Sequence, residues 1–214
     1  MSINVWSKVA VAVQTLLAAP RTITAITRAN PAVATSTAHA YANGALVLLK
    51  IQGMSQLDFA IVRVAATAAN TFNLEGIDST AFDTFTSGTA ELITFGANAT
   101  TFQDVNGDGG VAAPISITTI HNDQEFDIPG NRSPITYSFG SLWRPADPAL
   151  LALRAFDDLK SACCIQMRFS TTAVVLMVAF PSCPLIPIGS AGQAVTTPVS
   201  LRLAGRLTTY PTSV

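Results

Sequence analysis

The sequence predicts a mainly β fold, a β-sandwich or barrel flanked by one α-helix, and three observations predict it. Its apolar runs are short, rich in Val, Ile, Leu, Thr and Ala, and bounded by Gly, Pro and Asn, the residues that end strands in turns. Residues 9–13 and 199–203 alternate with a period of two, which sends successive side chains to opposite faces of a strand. One stretch alone, 147–160, spaces its apolar residues by three and four, as an amphipathic helix does.

The first strand is VAVAV at 9–13, with Val9, Val11 and Val13 alternating with Ala10 and Ala12. Lys8 before an apolar run mimics a signal peptide, but Gln14 interrupts the run and the alternation favours an uncleaved strand. Residues 22–28 form a β-branched strand that Asn30-Pro31 breaks, and the Asn43-Gly44 turn precedes a strand at 46–51. Strands at 61–64 and 71–74 complete a small all-β unit ending near Phe95, and the polar, glycine-rich stretch 96–110 reads as its boundary. A second set follows at 114–120, 134–139, 164–169, 173–180 and 198–207. In the last, Val199, Leu201 and Leu203 face one way and Ser200, Arg202 and Ala204 the other. The helix starts at Asp147, a good N-cap, with Pro148 at the first position, where a missing N–H does no harm. Ala149, Ala152, Phe156 and Leu159 form its apolar stripe, Leu150 and Leu153 widen it, and Arg154, Asp157 and Asp158 mark the wet face. Such a stripe must dock on a sheet, so this is a packing helix, with Phe156 expected to be buried.

The chain has 214 residues and a mass of 22.4 kDa, which suits one large domain or two small ones. Charged residues make up 12%, against ~25% in ordinary soluble domains, while hydrophobic residues make up 49% and mean hydropathy is +0.41. No apolar run of ~18 residues is present to span a bilayer as a helix, so the apolar excess is read as oligomer interface. A net charge of -1 argues against a strongly basic nucleic-acid binder, and any contact with DNA is expected to be loose and non-specific. Cys163, Cys164 and Cys183 cannot all pair, and on a strand the adjacent Cys163 and Cys164 point to opposite faces. They read as buried small hydrophobes rather than as a disulfide scaffold or a zinc site.

Charge is unevenly placed. Between Val64 and Asn131 stand nine acidic residues (Glu75, Asp78, Asp83, Glu91, Asp104, Asp108, Asp123, Glu125, Asp127) and no Lys or Arg. The rest of the chain holds all 12 basic residues and only Asp58, Asp147, Asp157 and Asp158. The block is either one acidic module or a surface with a task, meeting basic faces of neighbours or repelling phosphate from a channel wall.

Chemistry-bearing constellations are few. His121, Asp123, Glu125 and Asp127 alternate and would share one face of a strand, but Pro129-Gly130 and Asn131 favour a turn there. The segment 121–133 is therefore expected to be a solvated, projecting hairpin segment rather than a metal site. Asp104, Asn106, Asp108 and Gly109 match the first half of a calcium loop, yet Ile115 stands where the bidentate Glu is required. His39 and His121 have no nucleophile context, and the GSAG at 189–192 is too short to cradle phosphate, so no enzyme and no cofactor are predicted. Trp6, Trp143, Phe139 and Phe156 lack the interleaved basic residues of a base-stacking surface and read as core or subunit-interface anchors.

The segment ITAITRANPAVATSTAHAYANGALVLLKIQGMSQLD, continuing through NTFNLEGIDSTAFDTFTSG, resembles a small β module inserted in phage virion proteins. The stretch ISITTIHNDQEFDIPGNRSPITYSFGSLWRPADPALLALRAF, with later strands ending in VTTPVSLRLAGRLTTYPT, resembles the tail tube protein of long, non-contractile-tailed phages. The second match combines a hairpin, the helix after Asp147-Pro148, and a closing strand that runs into Gly205-Arg206. The resemblance implies a sandwich core of residues 1–21 and 96–214 carrying an inserted module at 22–95. It implies a virion tail protein, made in the host cytoplasm, whose hexameric rings stack into the conduit for genome ejection. The implied partners are copies of itself and the tape measure, tail terminator and distal tail proteins, with DNA passing non-specifically and no membrane involved. It gives the loop between strands 114–120 and 134–139 a ring-stacking role, which makes His121, Asp123, Glu125, Asp127 and Arg132 candidate stacking or lumen-facing residues. Asp147, Pro148, Leu153 and Phe156 belong to the packing helix. A β-sandwich decoration or receptor-binding module of the virion is the alternative.

Overall fold

Alternation of apolar and polar residues requires strands to be paired and covered, and the computed structural model, which describes residues 6, 8–118, 120–121, 126–169 and 173–211, shows how. The first strands are β1 (Ala10–Leu17), β2 (Arg21–Ile23), β3 (Ala25–Ile26), β4 (Ala32–Thr35), β5 (Leu46–Gln52), β6 (Ile61–Ala65), β7 (Thr71–Leu74) and β8 (Ser87–Ala99). Then come β9 (Phe102–Asp108), β10 (Ala112–Ile117), β11 (Phe126–Arg132), β12 (Thr136–Leu142) and the helix α1 (Pro148–Asp158). The last are β13 (Cys163–Arg168), β14 (Val174–Ser182), β15 (Thr196–Leu203) and β16 (Thr208–Tyr210). The fold is mainly β with one flanking helix.

Fourteen strands form one hydrogen-bonded path, β3-β4-β7-β6-β5-β8-β1-β13-β14-β15-β12-β9, with β2 added to β8 and β16 to β14. Only β10 and β11 stand apart, as a separate pair. Three apolar clusters divide the interior. The first gathers Val11, Val13, Phe139, Ile165, Met167, Met177, Val199 and Leu201 with Leu150 and Leu153 of α1, so the run from β1 to β9 curls around it as a sandwich. The second draws only on residues 23–92, among them Ile23, Val47, Leu49, Phe72 and Leu74. The third joins Leu48 and Ile61 to Ile93, Cys164, Leu176, Val178 and Tyr210. Strand alternation makes this layering possible. Cys163 faces the first cluster and Cys164 the third, on opposite faces of β13.

Several expectations from the sequence change. The stretch 96–110 is not an irregular connector but the end of β8 and all of β9, because β1 pairs with residues 97–99 and β12 with residues 102–108, which satisfies the backbone whatever its side chains. Residues 22–28 split at Thr24, where the chain leaves β8 for β4. The final strand stops at Leu203, before Gly205 and Arg206, and a new strand, β16, joins β14. The middle of β1, Val11 to Gln14, is buried on both faces, whereas Thr15 and Leu16 are exposed. Helix α1 ends at Asp158, leaving Leu159 exposed as its C-cap, and Phe156 is half-buried, not buried. Asp157 leaves the wet face: its carboxylate accepts from Lys160 Nζ at 2.9 Å and from the Cys183 amide at 2.8 Å. Of the aromatic anchors, Phe139 is core, whereas Trp6 and Trp143 are exposed at the surface.

Candidate functional site

The two strands outside the main path form the candidate site. β9 ends at Asp108, and Gly109 turns the chain at φ 95°, where a side chain would meet the Pro134 carbonyl oxygen at 2.0 Å. Beyond this point Gly110 N donates to Ser133 O at 3.1 Å and Ser133 N to Val111 O at 2.9 Å, so the β9–β12 ladder continues into a hairpin. β10 and β11 pair antiparallel, Ala112 opposite Arg132, Pro114 opposite Pro129, Ile115 opposite Ile128, Ser116 opposite Asp127 and Ile117 opposite Phe126.

That register gives the hairpin two unlike faces. Directly opposed residues share a face, so Ile115, Ile117, Phe126 and Ile128 form an apolar side, and Ser116, Asp127 and the two prolines form the other. The apolar side is uncovered, with Ile115 51%, Ile117 42%, Phe126 61% and Ile128 37% exposed. A two-stranded hairpin exposed on both faces is marginal on its own in water. Contiguous exposed apolar side chains of this kind mark a surface awaiting a partner.

The Pro129-Gly130 pair does not make the expected turn. Both residues lie within β11, where Gly130 and Asn131 together stand opposite the single Ala113, a bulge in β11 itself. Gly130 suits that bulge, since a Cβ there would lie 2.8 Å from the Ala113 carbonyl oxygen. His121 is an exposed turn residue, so it does not share a strand face with Asp127. Asp123 and Glu125 lie outside the described residues. Asp127 accepts from Ser116 Oγ at 2.6 Å on the polar face. Arg132 stands at the hairpin's base and lines a cavity of about 770 Å³ with Asp58, Ser133 and Arg206. The residues that the sequence reading missed are the four apolar ones. Their signal is the i, i+2 spacing of 115 with 117 and of 126 with 128, interleaved with and separated by the carboxylates of Asp123, Glu125 and Asp127.

The acidic block is not one surface. Glu91 accepts from Lys50 Nζ at 2.8 Å, and Glu75 accepts from the Arg63 guanidinium, which also lies 4.5 Å over the Tyr210 ring. The hydrogen bond from Arg63 holds the Glu75 carboxyl below its ordinary range, against the opposing effect of burial. Asp104, Asn106 and Asp108 lie along β9 rather than around a loop, and Asp104 accepts from the Gly140 amide at 2.5 Å. In register they stand beside Gly140, Ser138 and Thr136 of β12, which in turn stand beside Pro198, Ser200 and Arg202 of β15. Phe139, Val105, Val199 and Leu201 point into the core, so this polar row is the outer face of the sheet. The outer face of β13 and β14, in contrast, is covered by Leu48 and Ile61.

Residues 52–212 match a family model described as phage tail tube protein, TTP. A search of the curated proteins found no match.

Proposed function

The chain belongs to the phage tail tube protein family, and on that premise we propose that its copies form hexameric rings stacked into the conduit for genome ejection. The single observation that carries this reading is the β10–β11 hairpin, which among the described residues pairs with no other strand and leaves four apolar side chains uncovered on one face. In the stacked tube this face is buried against the adjacent ring, and Asp127 with His121 borders the same contact. The open outer face of β9, β12 and β15 lines the conduit. Its carboxylates and hydroxyls, with a single Arg202, offer a polyanion no cluster of cations to hold it. The residues 22–95 are an inserted module on a core of 1–21 and 96–214, with β8 running from one into the other. The tube's ends meet tape measure, terminator and distal tail proteins.

Electron microscopy of the purified protein tests the reading. Tubes with sixfold rings are expected, and the variant carrying Ile117→Asp and Phe126→Ser should give folded monomers or unstacked rings. A wild-type chain that stays monomeric at high concentration, or a double variant that builds normal tubes, would sink it.

A further inference from the structure

We infer that the end of β12 at Trp143 is the socket that receives the β10–β11 hairpin of a second copy of this chain. The inference rests on the stacking role proposed for the hairpin and adds the surface on which it lands.

The register sets the geometry. β12 leaves the hairpin's base at Thr136, beside Asp108, and reaches Leu142 beside Thr196. Seven residues at ~3.4 Å each put the two ends of this strand roughly 20 Å apart. The hairpin continues the ladder away from Trp143, so a chain cannot fill its own socket with its own hairpin, and a neighbour can. Two exposed apolar sets therefore sit at opposite ends of one strand: Ile115, Ile117, Phe126 and Ile128 at one, and Trp143, Val195 and Ile186 at the other. A contact between unlike surfaces of identical chains does not close in a pair but repeats, which is what a stack requires.

The socket is also preorganised. Trp143 N donates to Val195 O at 2.9 Å, and its indole Nε1 donates to Leu185 O at 2.9 Å, so the ring is fixed while still partly exposed. Trp143 extends the β12–β15 pairing opposite Val195, on the same face. A tethered tryptophan among aliphatic side chains is the usual anchor of an interface. Charge points to the same occupant. Arg144, next to the anchor, is exposed, and no acidic residue occurs from Leu159 to the end of the chain, a span that includes Ile186 and Val195. The hairpin lies in the block that holds no Lys or Arg until Arg132, and its exposed Asp127 stands on the polar face, away from the four apolar side chains.

Cysteine cross-linking tests the contact in assembled tubes. The native cysteines are all buried, so background is low. Tubes co-assembled from Ile117→Cys chains and Val195→Cys chains should cross-link into dimers with a short bis-maleimide, and tubes of either chain alone should not. Tubes that form without that cross-link would overturn the socket. Truncating the anchor gives a second, independent reading: Trp143→Ala should lower tube yield about tenfold, the scale of one lost anchor contact. Should Trp143→Ala chains, shown folded by circular dichroism, stack as wild type while the hairpin variant does not, the hairpin role stands and the socket is wrong. Should the hairpin variant itself stack normally, the stacking role fails first.

Discussion

Asp147 shows how much one side chain ties together. Its Oδ1 accepts from the Ala149 and Leu150 amides at 3.0 and 3.2 Å, capping α1, and its Oδ2 accepts from Thr100 Oγ1 at 2.7 Å. The sequence revealed the cap but not Thr100, 47 residues away. Asp147→Ala should cost about 2 kcal/mol, the upper range for a cap, and lower Tm by roughly 4–8 °C in a chain of this size; an unchanged melt would mean that the tie is not made. Glu75 carries a pH dependence with a definite sign. Its carboxyl is held below its ordinary value of 4.5 by Arg63, so its contribution to stability is complete above that value and fades as pH falls through the lower, folded one. Glu75→Gln should therefore flatten the acid limb of a stability-versus-pH curve between those two values; an acid limb as steep as the wild type's would remove the pair from the account. Burial pushes the thiols of Cys163 up to about 12 and of Cys183 to about 11, and raises Cys164 by burial first and by Cys163 second. Iodoacetamide at mild alkaline pH should modify none of the three in the folded chain and all of them after denaturation, and rapid labelling of native protein would contradict the layered burial.

At the scale of elements, local signals were a good guide to where strands and the helix lie and a poor guide to where they end. β7 falls at 71–74 as expected, and α1 keeps its expected cap, because caps and β-branched runs act over a few residues. The stop of α1 was missed because Leu159 fits the stripe by spacing alone, whereas the chain turns at Lys160, φ 52°, to enter β13. That shifts the weight of helix packing from Phe156 to Leu153, which is fully buried. Leu153→Ala should cost about 2–5 kcal/mol and Phe156→Ala distinctly less, measured by denaturant melts; the reverse order would mean that the helix is seated on its other flank. The hairpin followed a similar path. The sequence places strands at 114–120 and 134–139 with the projecting segment 121–133 between them, whereas β10 pairs with β11 inside that segment, because a bulge in β11 lets Pro129 and Gly130 stay in the strand.

For the whole molecule, the shortage of charge and excess of apolar residues now have locations. Part of the excess is used in three interior clusters instead of one, and part lies uncovered on the hairpin and around Trp143. Only four ion pairs occur among the described residues, and three of them involve at least one well-exposed partner, Lys50, Arg154 or Lys160. Exposed pairs of this kind contribute about 0–1 kcal/mol each. Assembly through apolar and main-chain contacts should then tolerate salt. Tubes are expected to persist in about 1 M NaCl, where the screening length shrinks to about 3 Å, as followed by light scattering and microscopy. Dissociation on raising NaCl alone would place the binding energy in ion pairs instead.

By itself the sequence determined what is local: the fold class, the single capped helix, the strand runs and the likeness to tail tube proteins, each encoded in spacing over a few residues. It also carried the opposite orientations of Cys163 and Cys164, since alternation is a property of any strand. Tertiary structure decided what depends on pairing partners distant in the chain. Only there does the glycine-rich stretch 96–110 become the end of β8 and all of β9, Asp157 become a tie to Cys183, and the acidic block divide into paired Glu75 and Glu91 and the open row on β9. Only there, too, do the hairpin and Trp143 fall at opposite ends of β12. A strand's period tells which residues share a face, but what covers that face is set by contacts that no local pattern encodes.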